Sequence, residues 1–459
     1  MKDSLHESTH SPWGCVTLME RRAFIRRSAC ALPALAAAKL AAPIAWSRTA
    51  ERKTVWAIAE LWQWLYQRQM SSGSDSADCL QAHLDLGIRN VIWSLGRSTL
   101  DYQSSLPNST MYVGDTRPET KVIADSFQGE CSLRAALDFA AKNEMIIYGR
   151  LGMNRHYGDS LGGGLCSRFI ASHPEWMERH RNGKMDNTKV SFAIPEYRAE
   201  RISILLEAAR IGAHGLCLDF CRQPPAVRYH PEILNPWLAA GRDDPRHMRT
   251  GSPEFLAWSQ HRCSFINIFM RDLRAGLRSL EKDLKRTIPI MTRIPEATLP
   301  INLMEGFDLR TWLDERLVDE VALDPVWIWD FKYPDSAREY VALARSHGVK
   351  IYGGANTTAG RGVRVNIRAF LERVSRNHAE GVDGIALFQT DAALLVPDLK
   401  ALFSPLIPQL EDPLAVSELL TAARIRIPDL SESERAFGLD NHSLLPQLSS
   451  SPRLSLDTL

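Results

Sequence analysis

A chain of 459 residues that is 45% hydrophobic and 24% charged has ordinary globular composition, with length for one large domain plus additions or for two domains. Its formal net charge of +1 gives no electrostatic reason to expect a nucleic acid or an anionic membrane as partner. Twelve tryptophans supply flat apolar faces, which either pack in a core or stack on sugar rings.

In chain order, the first signal is Glu20-Arg21-Arg22-Ala23-Phe24-Ile25-Arg26. It resembles a twin-arginine export motif, with two arginines, one further residue and then two apolar ones. The stretch Ser28 to Ala45 that follows is Ala-rich and mildly apolar, but Lys39 interrupts it and makes it a poor membrane span. Ala45-Trp46-Ser47 offers small residues where a signal peptidase would cut. The expectation is a cleaved export signal over residues 1–47, with Met19 as a possible true start. The twin-arginine translocase is then a transient partner, and the mature chain is periplasmic or extracellular. A basic tail on a cytoplasmic protein is the alternative. No stable membrane span is expected in the mature chain. The six later cysteines (79, 131, 166, 217, 221 and 263) show no Cys-x-x-Cys pair and no zinc-like spacing.

From residue 53 onward, apolar runs alternate with helical patterns. Candidate strands are Val55–Ala59, Asn90–Ser94, Met145–Leu151, Gly215–Asp219, Ile288–Ile294, Glu320–Asp324, Val349–Gly353 and Gly384–Phe388. Between them lie amphipathic stretches such as Ser132–Lys142, Ala199–Ile211, Phe255–Leu284, Ser336–His347 and Ile367–Glu380. This alternation predicts a parallel sheet with helical crossovers. Eight units predict an α/β fold, a closed (β/α)8 TIM barrel over residues 48–405. Long loops would follow strand two (Arg97–Glu130) and strand three (Gly152–Lys189). A short, partly disordered C-terminal extension would occupy 406–459. An open doubly wound sheet is the alternative, weakened because no Gly-x-Gly-x-x-Gly follows the first strand.

In such a barrel, catalytic groups sit at the C-terminal ends of the strands. The run Gly215-Leu216-Cys217-Leu218-Asp219 ends on a carboxylate, which is costly to bury unless it is paired or used. Strand one offers Glu60 and Trp62; strand three offers Arg150, Asn154 and His156; strand four adds Arg222, placed to hold Asp219 ionised. Arg293 and Glu296 follow strand five, and Asp324, Trp327 and Trp329 follow strand six. Asn356 follows strand seven, and Gln389 and Asp391 follow strand eight. Glycoside hydrolysis needs two carboxylates flanking one bond. Asp219 is the first candidate, with Asp324 or Glu296 as its partner. The remaining residues, Glu60, Trp62, Arg150, Asn154, His156, Arg222, Arg293, Trp327, Trp329, Asn356 and Gln389, form a carbohydrate-binding ring. The structural alternatives are an ion pair at the barrel rim for Asp219, a turn at Asp324-Pro325, and an exposed first helical turn at Glu296. No His-x-His follows strand one, so a metal has no motif, and no cofactor is expected.

The segment Ile211-Gly212-Ala213-His214-Gly215-Leu216-Cys217-Leu218-Asp219-Phe220-Cys221-Arg222 resembles the corresponding segment of the glycosyl-hydrolase-like 10 proteins, with His214 in place of an aspartate. His173-Pro174-Glu175-Trp176, Phe192–Arg198, Gly306–Trp312 and Gly381–Phe388 also resemble that family, in order, over residues 53 to 400. The resemblance implies a TIM barrel distantly similar to glycosidases. The strand-seven end, Gly353-Gly354-Ala355-Asn356, has no glutamate, which departs from retaining glycosidases with acids on strands four and seven. The expected function is an exported glycoside hydrolase acting on an oligo- or polysaccharide. A non-catalytic secreted carbohydrate-binding barrel, with Asp219 locked by arginine, and a metal-dependent hydrolase are the alternatives.

Overall fold

The computed structural model describes residues 52–61, 73–106, 132–154, 167–221, 225–324, 337–356, 367–395, 400–401 and 403–426. These lie in a unit spanning Glu51–Leu459. Ten strands are described: β1 (Thr54–Ala59), β2 (Asn90–Gly96), β3 (Ile146–Gly152), β4 (Met177–Arg179), β5 (Met185–Val190), β6 (Gly215–Asp219), β7 (Ile290–Pro295), β8 (Glu320–Asp324), β9 (Lys350–Asn356) and β10 (Gly384–Phe388). Eight pair in parallel and close a barrel in the order β1-β2-β3-β6-β7-β8-β9-β10, with β10 returning to β1. The fold is thus a (β/α)8 TIM barrel, and its strands are the eight apolar runs of the sequence. Gly215–Asp219, Glu320–Asp324 and Gly384–Phe388 have the expected bounds. β2 and β9 run on to Gly96 and Asn356, because the backbone ladder outlasts the apolar pattern.

Helices cover the outside. Ser132–Lys142 and Ile367–Glu380 lie where the periodicity predicts them. Pro195–Ile211 and Pro253–Leu284 start earlier than expected, each with proline at the first helical turn. Proline fits there because its missing N–H would have no intrahelical partner anyway. Ser252 caps the second of these through its hydroxyl, which accepts from the Phe255 N–H.

The expected loop Gly152–Lys189 has structure of its own. It carries a short helix, Arg168–Ala171, and the antiparallel hairpin β4–β5. The hairpin turns through Asn182-Gly183, with Gly183 at φ +81°. Asn-Gly is a strong local hairpin signal. Polar residues on both flanks hide it from a search for apolar alternation.

The barrel interior follows the two-residue period of its strands. Trp56, Ile58, Ile92, Tyr148, Cys217, Met291, Ala322, Tyr352, Ala386 and Phe388 form a core cluster separate from the one between strands and helices. A Cβ on Gly215 would lie 2.5 Å from the Tyr148 ring, so glycine there makes room for the tyrosine. Two residues further along the same inward face, apolar side chains give way to Glu60, Ser94, Arg150, Asp219, Arg293 and Asp324. Six tryptophans (56, 93, 176, 237, 258 and 312) are buried in the packing.

Candidate functional site

The inward residues at the C-terminal strand ends form a chain of alternating charge. Arg97 donates to Glu60 Oε1 at 2.9 Å. Arg150 reaches the same oxygen with Nη1 and Nη2, each at 3.1 Å, and donates through Nη1 to Asp219 Oδ2 at 2.5 Å. Arg293 Nη1 contacts both Asp219 oxygens, at 2.9 and 3.0 Å. On its other side Arg293 holds Asp324 Oδ2, through Nε at 2.8 Å and Nη2 at 2.6 Å. Glu60, Arg150, Asp219, Arg293 and Asp324 are each no more than 4% exposed. Charges this deep persist only when paired and hydrogen-bonded.

Asp219 is fully engaged. Its Oδ1 also accepts from the Cys221 N–H at 3.0 Å, which brings it to four hydrogen bonds, the ordinary capacity of a carboxylate. Burial alone would raise its pKa. The guanidiniums of Arg293 and Arg150 outweigh that and hold the carboxyl below its usual range. The same carboxylates, Asp219 and Asp324, keep Arg293 firmly protonated against the effect of burial. The Arg293 guanidinium also lies 4.2 Å from the centre of the Phe388 ring, a favourable cation–π contact.

Two further carboxyls behave oppositely. Burial pushes Asp391 up to about 7, helped by the charge of Glu60. Its Oδ1 accepts from the Glu60 N–H at 3.1 Å. Burial likewise pushes Asp101 up to about 6, although the Ser94 hydroxyl donates to it at 2.5 Å. Gln389 Nε2 donates to Glu60 Oε2 at 2.9 Å. Leu61 and Gln389, which follow Glu60 and Phe388 just past the adjoining strands β1 and β10, are non-glycine residues at φ +61° and +56°. Such strain persists where surrounding structure over-determines the backbone, and it collects at functional sites.

The structure thus brings together Glu60, Arg150, Asp219, Arg293, Asp324 and Gln389 from the expected ring. Glu296 is buried near them, and its backbone N–H donates to the Asp324 carbonyl at 3.0 Å. Its carboxylate, however, meets Arg373 and Arg376 on the helix Ile367–Glu380. Asn154 is buried, and its amide is engaged by Lys189 and by the Phe220 carbonyl. Trp62, His156, Arg222, Trp327 and Trp329 lie outside the described residues, as does the side chain of Asn356. Arg150 and Arg293 hold Asp219 in the manner expected of Arg222. Arg97 and Asp101 were not singled out by the sequence. The only local hint was a charged residue directly after the Gly96 that ends β2. Among the described residues, no three side chains of His, Cys, Asp or Glu are placed to share a metal ion.

No protein-family model matches the chain, and no curated protein matches it. Solved structures do. A beta-galactosidase from the psychrophilic Marinomonas ef1 is 13% identical, with TM-score 0.52, covering 87% of this chain and 62% of its own. Alpha-L-fucosidase isoenzyme 2 from Paenibacillus thiaminolyticus is 12% identical, with TM-score 0.47, covering 82% and 50%. A maltogenic alpha-amylase from Thermotoga neapolitana is 14% identical, with TM-score 0.40, covering 78% and 76%. The chain therefore spans less than two thirds of the length of the first two. These neighbours are glycoside hydrolases, and at such identities the likeness concerns the fold alone.

Proposed function

We propose that the chain is an exported glycoside hydrolase of the glycosyl-hydrolase-like 10 kind, acting on an oligo- or polysaccharide through Asp219. One observation carries the reading. At the strand ends where barrel enzymes keep their chemistry, Asp219 is held ionised between two guanidiniums, and Asp324 sits on one of the same guanidiniums. A fixed, preorganised anion suits the nucleophile or base of a two-carboxylate mechanism, whose transition state carries oxocarbenium charge. Asp324 is the partner carboxylate in this reading, because it shares Arg293 with Asp219 while Glu296 turns to Arg373 and Arg376. To act as the acid it must take up a proton against the charge of Arg293. The nearest oxygens of Asp219 and Asp324 are separated by at most two hydrogen bonds and the breadth of one guanidinium. Retention asks for about 5–5.5 Å between the carboxyl groups and inversion for about 6.5–9.5 Å. Export by the twin-arginine route, with residues 1–47 removed, belongs to the same reading, as does a carbohydrate as substrate.

The test is turnover of a polysaccharide panel by the purified mature chain and by Asp219→Asn. Release of reducing ends should fall at least about a thousandfold in the variant, with circular dichroism unchanged. Equal turnover by both proteins would remove Asp219 from the mechanism.

A second reading rests on the saturation of Asp219, whose four acceptor sites are all occupied by the protein itself. In that reading the arginines fix the barrel mouth and the chain binds glycans without cleaving them. Glycan binding that survives Asp219→Asn, with no reducing ends released by the parent protein, would select it.

A further inference from the structure

The hairpin β4–β5 contains a lysine in an unusual place. Lys189 is 2% exposed, although lysines on short polar strands ordinarily extend their ammonium into water. The hairpin register explains how it comes to be buried. Met177 pairs with Val190 and Glu178 with Asp186, so the ladder register shifts between neighbouring residues of β4, with residues 187–189 lying between the two pairs on β5. A bulge of this kind bends its strand and re-aims a side chain. Here the ammonium donates to the Asn154 backbone carbonyl at 3.0 Å and to its Oδ1 at 2.9 Å.

Asn154 passes the contact on. Its Nδ2 donates to the Phe220 carbonyl at 3.1 Å. Phe220 directly follows Asp219, and the surrounding backbone is tied at three further points. Met153 N–H donates to the Asp219 carbonyl at 2.9 Å, Phe220 N–H to the Arg293 carbonyl at 2.9 Å, and Cys221 N–H to Asp219 Oδ1 at 3.0 Å. The sequence assigned Asn154 to substrate. The structure spends its amide oxygen on Lys189 and an amide hydrogen on Phe220.

We propose that Lys189 and Asn154 are positioning residues, a clasp through which the hairpin β4–β5 fixes the β6 end and so the orientation of the Asp219 carboxylate. The proposal rests on the reading of Asp219 as the working carboxylate for its catalytic consequence, but not for its structural one. Asp186 supports the lysine: burial opposes its ionisation, yet Lys189 and then Arg228 hold it below the usual carboxylate range. The Asp186 carboxylate thus interacts favourably with the buried ammonium, while its ion pair at 3.3 Å is with Arg228.

The experiment is hydrogen exchange read by mass spectrometry on the full chain, comparing the parent with Lys189→Met, Lys189→Arg and Asn154→Asp. Asn154→Asp keeps an acceptor for the ammonium but loses the donor to Phe220, so it answers the question even where Lys189→Met folds poorly. The clasp predicts that Phe220 and Cys221 amides exchange at least about tenfold faster in Lys189→Met and in Asn154→Asp, with β8 and β9 unchanged. Lys189→Arg should restore much of the protection. Unchanged exchange at residues 220 and 221 in Asn154→Asp overturns the proposal. On a substrate that the parent turns over, kcat should fall about tenfold or more with KM nearly constant, because misplacing the group affects the transition state more than binding. A parent protein with no turnover on any polysaccharide counts against the hydrolase reading, while the exchange result decides the clasp by itself.

Discussion

The two ends of the barrel interior are built on one alternation, yet the inward acids at their strand ends are kept in opposite ways, with Asp391 and Asp101 beside the C-terminal layer pushed up by burial as Glu320 is. At the N-terminal end, Glu320 on β8 accepts from the Tyr352 hydroxyl at 3.3 Å. Burial pushes its carboxyl toward the protonated form, against Lys350 and the tyrosine hydroxyls. At the C-terminal end, each of Glu60, Asp219 and Asp324 meets a guanidinium. A buried carboxyl can be tolerated by keeping its proton or by acquiring a counter-ion. Only the second solution leaves a permanent charge at a fixed point, and the chain uses it where barrel chemistry belongs.

The sharpest way to break this contrast is Arg293→Met. It strips Asp219 and Asp324 of a shared counter-ion, and removing one partner from a buried pair costs about 3–5 kcal/mol. Urea unfolding should show that loss; a change under about 1 kcal/mol would mean that the upper layer is not held by charge. Next comes Gly215→Ala at the lower end, where the added methyl runs into the Tyr148 ring. Overpacking of this kind costs about 1–3 kcal/mol, visible as a lower Tm with the pH dependence unaltered.

A third test uses pH. The folded pKa of Asp391 is raised from 3.8 to about 7. Its contribution to stability is therefore complete below the ordinary carboxylate range and is lost as pH rises through about 7. Asp219 has the opposite sign, since its lowered pKa gives stability that is lost as pH falls through the folded value. Asp391→Asn should flatten the decline in Tm between about pH 4 and 7; a decline parallel to that of the parent would sink the assignment. The smallest effect belongs to Glu320→Gln. The amide imitates the protonated form that burial favours, so stability at acidic pH, where that form prevails, should move by less than about 1 kcal/mol, with glycan turnover unchanged. A large loss of turnover would erase the distinction between the two ends.

Much of the fold is legible in the sequence because parallel barrel strands are buried on both faces and read as short apolar runs. Gly215–Asp219 and Glu320–Asp324 announce both their position and the charge that ends them. The ring of site residues is less legible. Asp219 was expected to lean on Arg222, three positions away. Its cations instead come from Arg150 and Arg293, 69 and 74 residues distant in the chain. Glu296 and Asp324 read alike as acids after strands, yet Glu296 turns to Arg373 and Arg376 on an outer helix. Lys189 read as one polar residue among many, because a bulge is a property of register between two strands and not of either strand's composition.

The amino-acid order alone determined the eight strands, their sequence in the barrel and the charged residues at their ends. Those follow from local hydrophobic period and from the energy of burying a carboxylate. The tertiary structure decided which charge meets which. Closing the barrel is what brings β1, β3, β6, β7 and β8 around one small volume. Pairing inside that volume depends on distances of a few ångströms, and separation along the chain does not encode them.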